Sequence, residues 1–119
     1  MLRGEIYYAD LRGYLGSEQM GMRPALIVQN DAGNAHSPTT MIVPLTSKHK
    51  PSLPTHILLT PGDCGIPQVS TALCEQMRVV DKARLKTRMG KVICPDKINE
   101  INSKLMLSIG LNGKAALIG

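Results

Sequence analysis

Short apolar segments separated by turn residues recur along most of the chain. Each is rich in β-branched or other apolar residues and is bounded by Gly, Pro, Asn or Ser, which is typical of β-strands. The predicted strands are Gly4–Ala9, Pro24–Gln29, Met41–Leu45, Thr55–Leu59, Val69–Val80 and Met89–Ile93. This spacing indicates a small β-barrel or β-sandwich.

Two of these strands differ in their expected burial. In the first, Ile6 and Tyr8 alternate with Glu5 and Tyr7, which predicts a strand buried on one face. Residues 24–28 are apolar throughout, which predicts a central strand covered on both faces.

Near the C-terminus, apolar residues recur every three or four positions, which predicts one long helix. It begins around Pro95-Asp96 and carries an apolar stripe suited to core packing. The stripe consists of Ile98, Ile101, Leu105 and Ile109. A shorter helical turn is predicted over Asp81–Leu85, with Asp81 as its N-cap.

The predicted loops are Leu11–Met22, Asp31–Pro38 and Ser47–Pro54. The first is long and glycine-rich, and a long loop in a small domain is more often functional than not. The apolar tail Leu111–Ile118 could form a last edge strand or a subunit contact.

Composition is that of a globular protein with one domain, residues 1–119. Hydrophobic residues make up 43% of the chain and charged residues 19%, with no Trp, no Phe and three Tyr. Stacking of nucleic-acid bases on aromatic side chains can therefore contribute little to binding. The net charge of +5 suits a polyanionic partner, and basic residues concentrate between Arg78 and Lys91. That stretch is either a solvated face or a contact for an RNA backbone.

The cysteines and histidines show no metal or disulfide pattern. Cys64, Cys74 and Cys94 are odd in number without a C-x-x-C spacing, so we expect reduced, partly buried thiols. The three histidines are scattered, and we predict neither a metal nor a cofactor. The N-terminus has no apolar signal region and no later run is long enough to span a membrane, so we predict a cytoplasmic protein without a membrane partner.

The segment from Gly16 to Pro24 has the most unusual chemistry in the chain. It places a hydroxyl, a carboxylate, an amide and a guanidinium in a glycine-rich loop before a buried strand. Pro24 fixes the backbone beside Arg23, and a charge on a rigid element is well placed for chemistry.

This segment and several later ones together resemble the MazF/PemK family of toxin endoribonucleases. The matching motifs, in order, are Gly16-Ser17-Glu18-Gln19, Gly21-x-Arg23-Pro24, Gln29-Asn30-Asp31, Ser37-Pro38-Thr39, Pro44-Leu45-Thr46-Ser47, Leu53-Pro54-Thr55-His56 and Leu73-Cys74-Glu75-Gln76-Met77-Arg78. The resemblance covers nearly the whole chain. The departures lie at Arg12 to Leu15 and at Met20 and Met22, and they leave the base preference open.

The resemblance implies a mainly β fold with a C-terminal helix (α+β), built as a small SH3-like β-barrel. It further implies a homodimeric toxin that cleaves single-stranded RNA sequence-selectively and is inhibited by a cognate antitoxin protein. Any contact with operator DNA would be made through the antitoxin complex.

Site residues follow from the same resemblance. Arg23 and Thr46 match the family's two catalytic positions, and Glu18 matches a carboxylate proposed as general base in some members. Positions expected to contact RNA are Ser17, Gln19, Ser47, Gln76 and Arg78, with two more whose roles stay open. His56 is either structural or a substrate contact. Tyr14 could stack on a base or cover the barrel end.

The chemistry needs no metal, because RNA carries its own nucleophile, the 2′-hydroxyl. A base must remove that proton, and positive charge must stabilise the phosphorane. Because arginine keeps its proton at ordinary pH, we expect Glu18 to act as base and Arg23 as stabiliser and proton donor. Thr46 would donate a hydrogen bond to phosphate, or is an ordinary threonine at a strand end.

Two other functions compete with RNA cleavage. A CcdB-like toxin of the same fold would bind and poison a topoisomerase, and would have no need of Arg23, Thr46 and Glu18. An SH3-like adaptor for proline-rich peptides requires an aromatic groove, which three tyrosines supply poorly.

Overall fold

The computed structural model describes residues 1–13, 21–48 and 52–111. Its strands are β1 (Glu5–Asp10), β2 (Met22–Ile27), β3 (Thr39–Thr46), β4 (His56–Leu59), β5 (Ser70–Leu73), β6 (Arg78–Asp81) and β7 (Leu85–Lys91). Its α-helices are α1 (Asp31–His36), α2 (Pro61–Cys64) and α3 (Pro95–Ser108), and two short 3-10 turns cover Cys74–Gln76 and Lys82–Arg84. None of the helices in these ranges has the length and apolar character needed to cross a membrane.

The seven strands form one antiparallel sheet in the order β4-β5-β3-β2-β1-β7, with β6 paired to β3 outside this path. The prediction of a mainly β protein with a C-terminal helix is confirmed. Among the described residues, β4 and β7 end the path without pairing to each other, so the predicted SH3-like barrel is not confirmed.

The strand β3 organises the sheet because it pairs with three others. On one edge, Ile42–Pro44 pair with β2; on the other, residues 39–42 pair with β6 and residues 45–46 with β5. The single predicted strand Val69–Val80 is therefore wrong. The segment follows β3 along its length but leaves it at the 3-10 turn Cys74–Gln76, which separates β5 from β6.

Two apolar clusters cover the two faces of β2. Leu26 belongs to the larger cluster, while Ala25 and Ile27 belong to the smaller one. The predicted central strand is thus confirmed. The prediction for β1 is wrong in detail, because Ile6 lies in the larger cluster, Ala9 in the smaller, and Tyr8 is 39% exposed.

The physical reason for the error in β1 is its place in the sheet. β1 lies between β2 and β7, and its pairing with β7 shifts register at Ile6/Tyr7 and again at Tyr8/Ala9. The extra residue at each shift, Met89 and then Lys86, lies on β7, so β1 keeps its alternation. The error is instead that both faces are covered, because Ile6 lies in the larger cluster while Tyr7 and Ala9 pack in or against the smaller one.

Helix α3 begins at Pro95 as predicted, and Ile98, Ile101 and Leu105 pack in or against the larger cluster. Ile109 does not, because the helix ends at Ser108 and this side chain is 59% exposed. The N-cap prediction is confirmed, since the Asp81 carboxylate accepts a hydrogen bond of 2.8 Å from the backbone N–H of Ala83.

Sequence periodicity missed the helix α1, which was predicted as a loop. It has six residues and no apolar stripe, so its pattern carries no helical period. Asn30 nonetheless caps it, because its side chain accepts a hydrogen bond from Gly33 N–H.

The three cysteines are free, as expected, with Cys64 and Cys74 buried and Cys94 partly buried. Burial, with the negative charge of Glu75 nearby, raises the pKa of the Cys74 thiol to about 12. This thiol is therefore protonated and unreactive at neutral pH. Of the predicted tail Leu111–Ile118, only Leu111 lies within the described residues.

Candidate active site

Arg23 and Thr46 lie opposite each other where two strands stop pairing. The ladder between β2 and β3 ends at the pair Ala25↔Pro44, and each residue stands two positions beyond it on its own strand. Beyond this point, β3 remains paired on its opposite edge, with β5 through Thr46↔Thr71. The sheet therefore opens between the two side chains.

A cavity of about 280 Å³ occupies this opening. Arg23 and Thr46 both line it, together with the adjoining Ser47 and Lys48. Further lining residues are Tyr8, Met22, Pro24, Leu45, Ile66, Pro67, Gln68, Ser70 and Met89. Its charged lining residues, within the described ranges, are Arg23 and Lys48, so the cavity favours an anion.

The Arg23 side chain holds an unused donor. Its Nε is buried and has no hydrogen-bond partner in the part of the chain that the structure describes. A buried donor left without a partner is unfavourable by about 1–3 kcal/mol, more for a charged group. An anion that enters the cavity and accepts this hydrogen bond would recover that free energy.

Thr46 is buried, with 3% of its surface exposed. Its Oγ1 accepts a hydrogen bond of 3.2 Å from the backbone N–H of Lys48. Because this bond uses a lone pair, the hydroxyl proton stays available for donation to a second oxygen. Thr46 is thus held in place and able to donate to a phosphate.

A second cavity of about 470 Å³ adjoins the first, and the two share Thr46, Ser47 and Lys48. Its other lining residues are Ser52, His56, Leu58, Val69 and Thr71. The His56 side chain is only 7% exposed, and its Nε2 lies 3.1 Å from Glu75 Oε2. The backbone N–H of Leu53 donates to His56 Nδ1 at 3.4 Å, which favours the tautomer protonated at Nε2.

The carboxylate of Glu75 holds this histidine in place. Burial raises the pKa of Glu75, but hydrogen bonds from Thr55 and from His56 outweigh that effect, and the pKa is lowered overall. Glu75 is therefore ionised at neutral pH and fixes the orientation of the His56 ring.

The structure brings together part of the predicted site. Arg23, Thr46 and Ser47 line the first cavity, and His56 lines the second. Gln76 ends the 3-10 turn after β5, and Arg78 begins β6 opposite Ile42; neither lines the two cavities. Tyr14, Ser17, Glu18 and Gln19 lie outside the described residues.

Sequence reasoning missed several residues that line the first cavity, including Tyr8, Lys48 and Gln68. Tyr8 reaches it because β1 pairs with β2 in the register Tyr8↔Pro24, next to Arg23. This register cannot be deduced from the strand pattern alone. Lys48 could have been found from its separation of two residues from Thr46, at the end of a predicted strand.

Taken together, the antiparallel sheet, the C-terminal helix and the cationic cavity define a small β protein with a site suited to an anion. Residues 2–109 match the family model described as PemK-like, MazF-like toxin of type II toxin-antitoxin system. The chain belongs to this family.

Named relatives agree with this assignment. The chain is 39% identical to endoribonuclease MazF of Staphylococcus saprophyticus over 113 residues, which cover 94% of this chain and 93% of that protein. An endoribonuclease from a mycobacterial species, solved in complex with its cognate antitoxin, superimposes with a TM-score of 0.78 at 32% identity, covering 95% of this chain and 98% of that one. MazF from Deinococcus radiodurans also gives a TM-score of 0.78, at 26% identity, covering 92% of this chain and 96% of that one.

Proposed function

We propose that this protein is an endoribonuclease toxin that cleaves single-stranded RNA sequence-selectively and without a metal ion. The observation that carries the proposal is the pair Arg23 and Thr46 in one cavity, with the buried Arg23 Nε lacking a partner among the described residues. Membership of the PemK-like, MazF-like toxin family and the named relatives support the same activity.

In the proposed reaction, the 2′-oxygen of the substrate forms a bond to phosphorus while the bond from phosphorus to the 5′-oxygen breaks. The proton of the 2′-hydroxyl goes to a base, for which we propose the Glu18 carboxylate. A proton from Arg23 or from water neutralises the leaving 5′-oxygen. The products are a 2′,3′-cyclic phosphate and a 5′-hydroxyl.

Arg23 and Thr46 act on the phosphate itself. Two N–H donors of a guanidinium fit two phosphate oxygens, so Arg23 can stabilise the charge that develops on the phosphorane. The Thr46 hydroxyl, oriented by the bond from Lys48 N–H, can donate to one of the same oxygens. Both contacts strengthen as negative charge builds up, which lowers the barrier.

End mapping on a long single-stranded RNA tests the mechanism. We expect cleavage to persist in excess EDTA and to leave a 2′,3′-cyclic phosphate with a 5′-hydroxyl, because the nucleophile belongs to the substrate. A 5′-phosphate product, or loss of activity on chelation, would refute it. The same mapping reports whether cleavage is confined to a sequence motif.

The competing CcdB-like function, poisoning of a topoisomerase, is not favoured. The named relatives are endoribonucleases, and a protein that only binds a partner has no use for Arg23 and Thr46 in a shared cavity.

We also propose a cytoplasmic homodimer that a cognate antitoxin protein inhibits, with operator DNA bound only through that complex. Apolar side chains at the end of α3 support an interface, since Met106, Ile109 and Leu111 are about half exposed. Light scattering at micromolar concentration should give twice the mass of one chain. A monomer mass would count against the dimer.

A further inference from the structure

Lys48 stands at the boundary between the two cavities. It is the one charged side chain, among the described residues, that lines both of them. Its backbone is held by the hydrogen bond from its N–H to Thr46 Oγ1, at 3.2 Å. The ammonium group is exposed and forms no ion pair within the described ranges, so it is available to an external anion.

The charge along the two cavities has one sign. The described lining residues include Arg23 and Lys48 but neither Asp nor Glu. A cationic surface whose described residues run through both cavities suits a chain of phosphates rather than a single anion.

The floor of the second cavity continues directly from Thr46. Thr46 pairs with Thr71 on β5, and Thr71 pairs with Leu58 on β4, so the three form one row across adjacent strands. Side chains directly opposite each other on antiparallel strands lie on the same face, about 5 Å apart at Cβ. The row therefore leads from the proposed reaction centre into the second cavity.

This floor has the properties of a base-binding surface. Leu58 and Val69 are 55% and 51% exposed and offer apolar contact to a flat ring. Thr71 and Ser52 carry hydroxyls that can donate to or accept from the edge of a base. Proteins that recognise RNA specifically usually contact unstacked bases of single-stranded segments, and this floor could receive one of them.

We propose that the second cavity holds the nucleotide next to the scissile phosphate, and that Lys48 binds the phosphate linking that nucleotide to the next one. This inference rests on the proposed RNA cleavage and extends it to a specificity subsite. We favour the same RNA strand over a second protein chain as the occupant for two reasons. The second cavity is continuous with the cavity of Arg23 and Thr46, and its described lining residues include no carboxylate.

The test begins with single-turnover cleavage of an RNA that contains one mapped site. Lys48→Gln removes the charge and keeps most of the side-chain length, and Lys104→Gln on α3, outside both cavities, is the matched control for net charge. We expect Lys48→Gln to lower the rate about tenfold, as loss of one charge-assisted contact does, and Lys104→Gln to leave it unchanged.

Neutral linkages then locate the contact. In two further substrates, a methylphosphonate replaces a phosphate near the scissile one, on the 5′ side or on the 3′ side. We expect one of them to slow the parental protein by a similar factor and to make Lys48→Gln cause no further loss. If Lys48→Gln slows all substrates equally, or none, the proposal is overturned.

The base contact is tested with an RNA pool randomised at the positions flanking the cleaved bond. Thr71→Val keeps the shape of the side chain and removes its hydroxyl, and Thr87→Val on β7 is the control. We expect Thr71→Val alone to change the base preference at one flanking position. An unchanged preference would contradict the base subsite.

Two readouts separate this inference from its alternatives. If the parental protein fails to cleave any RNA, the proposed function itself fails; if it cleaves and Lys48→Gln is unaffected, only the subsite fails. The mass of each variant is measured by light scattering alongside. A change of oligomeric state in Lys48→Gln or Thr71→Val would overturn the subsite, because it would show that a second copy covers this face.

Discussion

At the scale of single residues, the buried Nε of Arg23 and the oriented hydroxyl of Thr46 define what the cavity can do. Each lies at the end of a ladder, where the backbone is held by pairing on one side and open on the other. Such positions combine rigid placement with access, which a phosphate-binding site requires.

If Arg23 acts on the transition state as proposed, Arg23→Ala should lower the cleavage rate by about a hundredfold or more, because it removes a positioned donor. Binding should weaken much less, as measured by affinity for a substrate with a 2′-deoxy nucleotide at the scissile position, which cannot react. Arg23→Lys keeps the charge but loses the fork, so we expect it to recover only part of the rate.

Variants of Thr46 test the same catalytic assignment. Thr46→Ala should also be slow, and the double variant less than additive if both side chains serve one phosphate. Should Arg23→Ala cleave at the parental rate, or lose rate only in proportion to affinity, Arg23 would be a binding or structural residue instead.

At the scale of elements, a buried amide ties helix α1 to the sheet. Asn34 Oδ1 accepts hydrogen bonds from Thr40 Oγ1 at 2.7 Å and from Gln29 Nε2 at 3.1 Å. Its Nδ2 donates to Gln29 O at 2.9 Å, and the Lys82 ammonium donates to its backbone carbonyl. This network fixes the connection between β2 and β3, the two strands that carry Arg23 and Thr46.

Asn34→Ala should therefore reduce the free energy of unfolding by about 2–3 kcal/mol, because it leaves the buried Thr40 hydroxyl without its acceptor. Urea denaturation measures the change. Asn99→Ala, exposed on α3, should stay within about 0.5 kcal/mol of the parent. Equal stability of the two variants would show that the network contributes nothing.

At the scale of the whole molecule, we expect stability at acid pH to depend on a buried carboxylate near the N-terminus, that of Glu5. Glu5 accepts hydrogen bonds from Leu2 N–H at 2.6 Å and from Arg88 Nε at 2.8 Å. Burial raises the pKa of Glu5, but these hydrogen bonds and the charge of Arg88 outweigh burial, so the pKa lies below its ordinary value of 4.5.

A lowered folded-state pKa means that the ionised form of Glu5 stabilises the fold above the ordinary value of 4.5, and that this contribution is lost as pH falls through the folded pKa. We expect the free energy of unfolding to decrease as the pH is lowered through this acid range. Glu5→Gln should make the fall less steep, while Glu100→Gln, on the partly exposed pair with Lys97, should change it little. Identical pH profiles for Glu5→Gln and the parent would refute the assignment.

The sequence alone was sufficient for features that depend on local periodicity or on short separations along the chain. The apolar run after Pro24, the stripe of Ile98, Ile101 and Leu105, and the cap at Asp81 fall in this class. Each is set by the burial of one face or by a bond between near neighbours, so the pattern contains the information.

Only the tertiary structure decided which residues meet across strands. The opposition of Arg23 and Thr46, the entry of Tyr8 into their cavity, and the row from Thr46 through Thr71 to Leu58 all depend on register. Register is a property of paired strands, and a shift of one residue would turn every side chain to the other face. For the same reason, the end of the pairing between β2 and β3 at Ala25↔Pro44, which opens the cavity, cannot be read from the pattern of either segment.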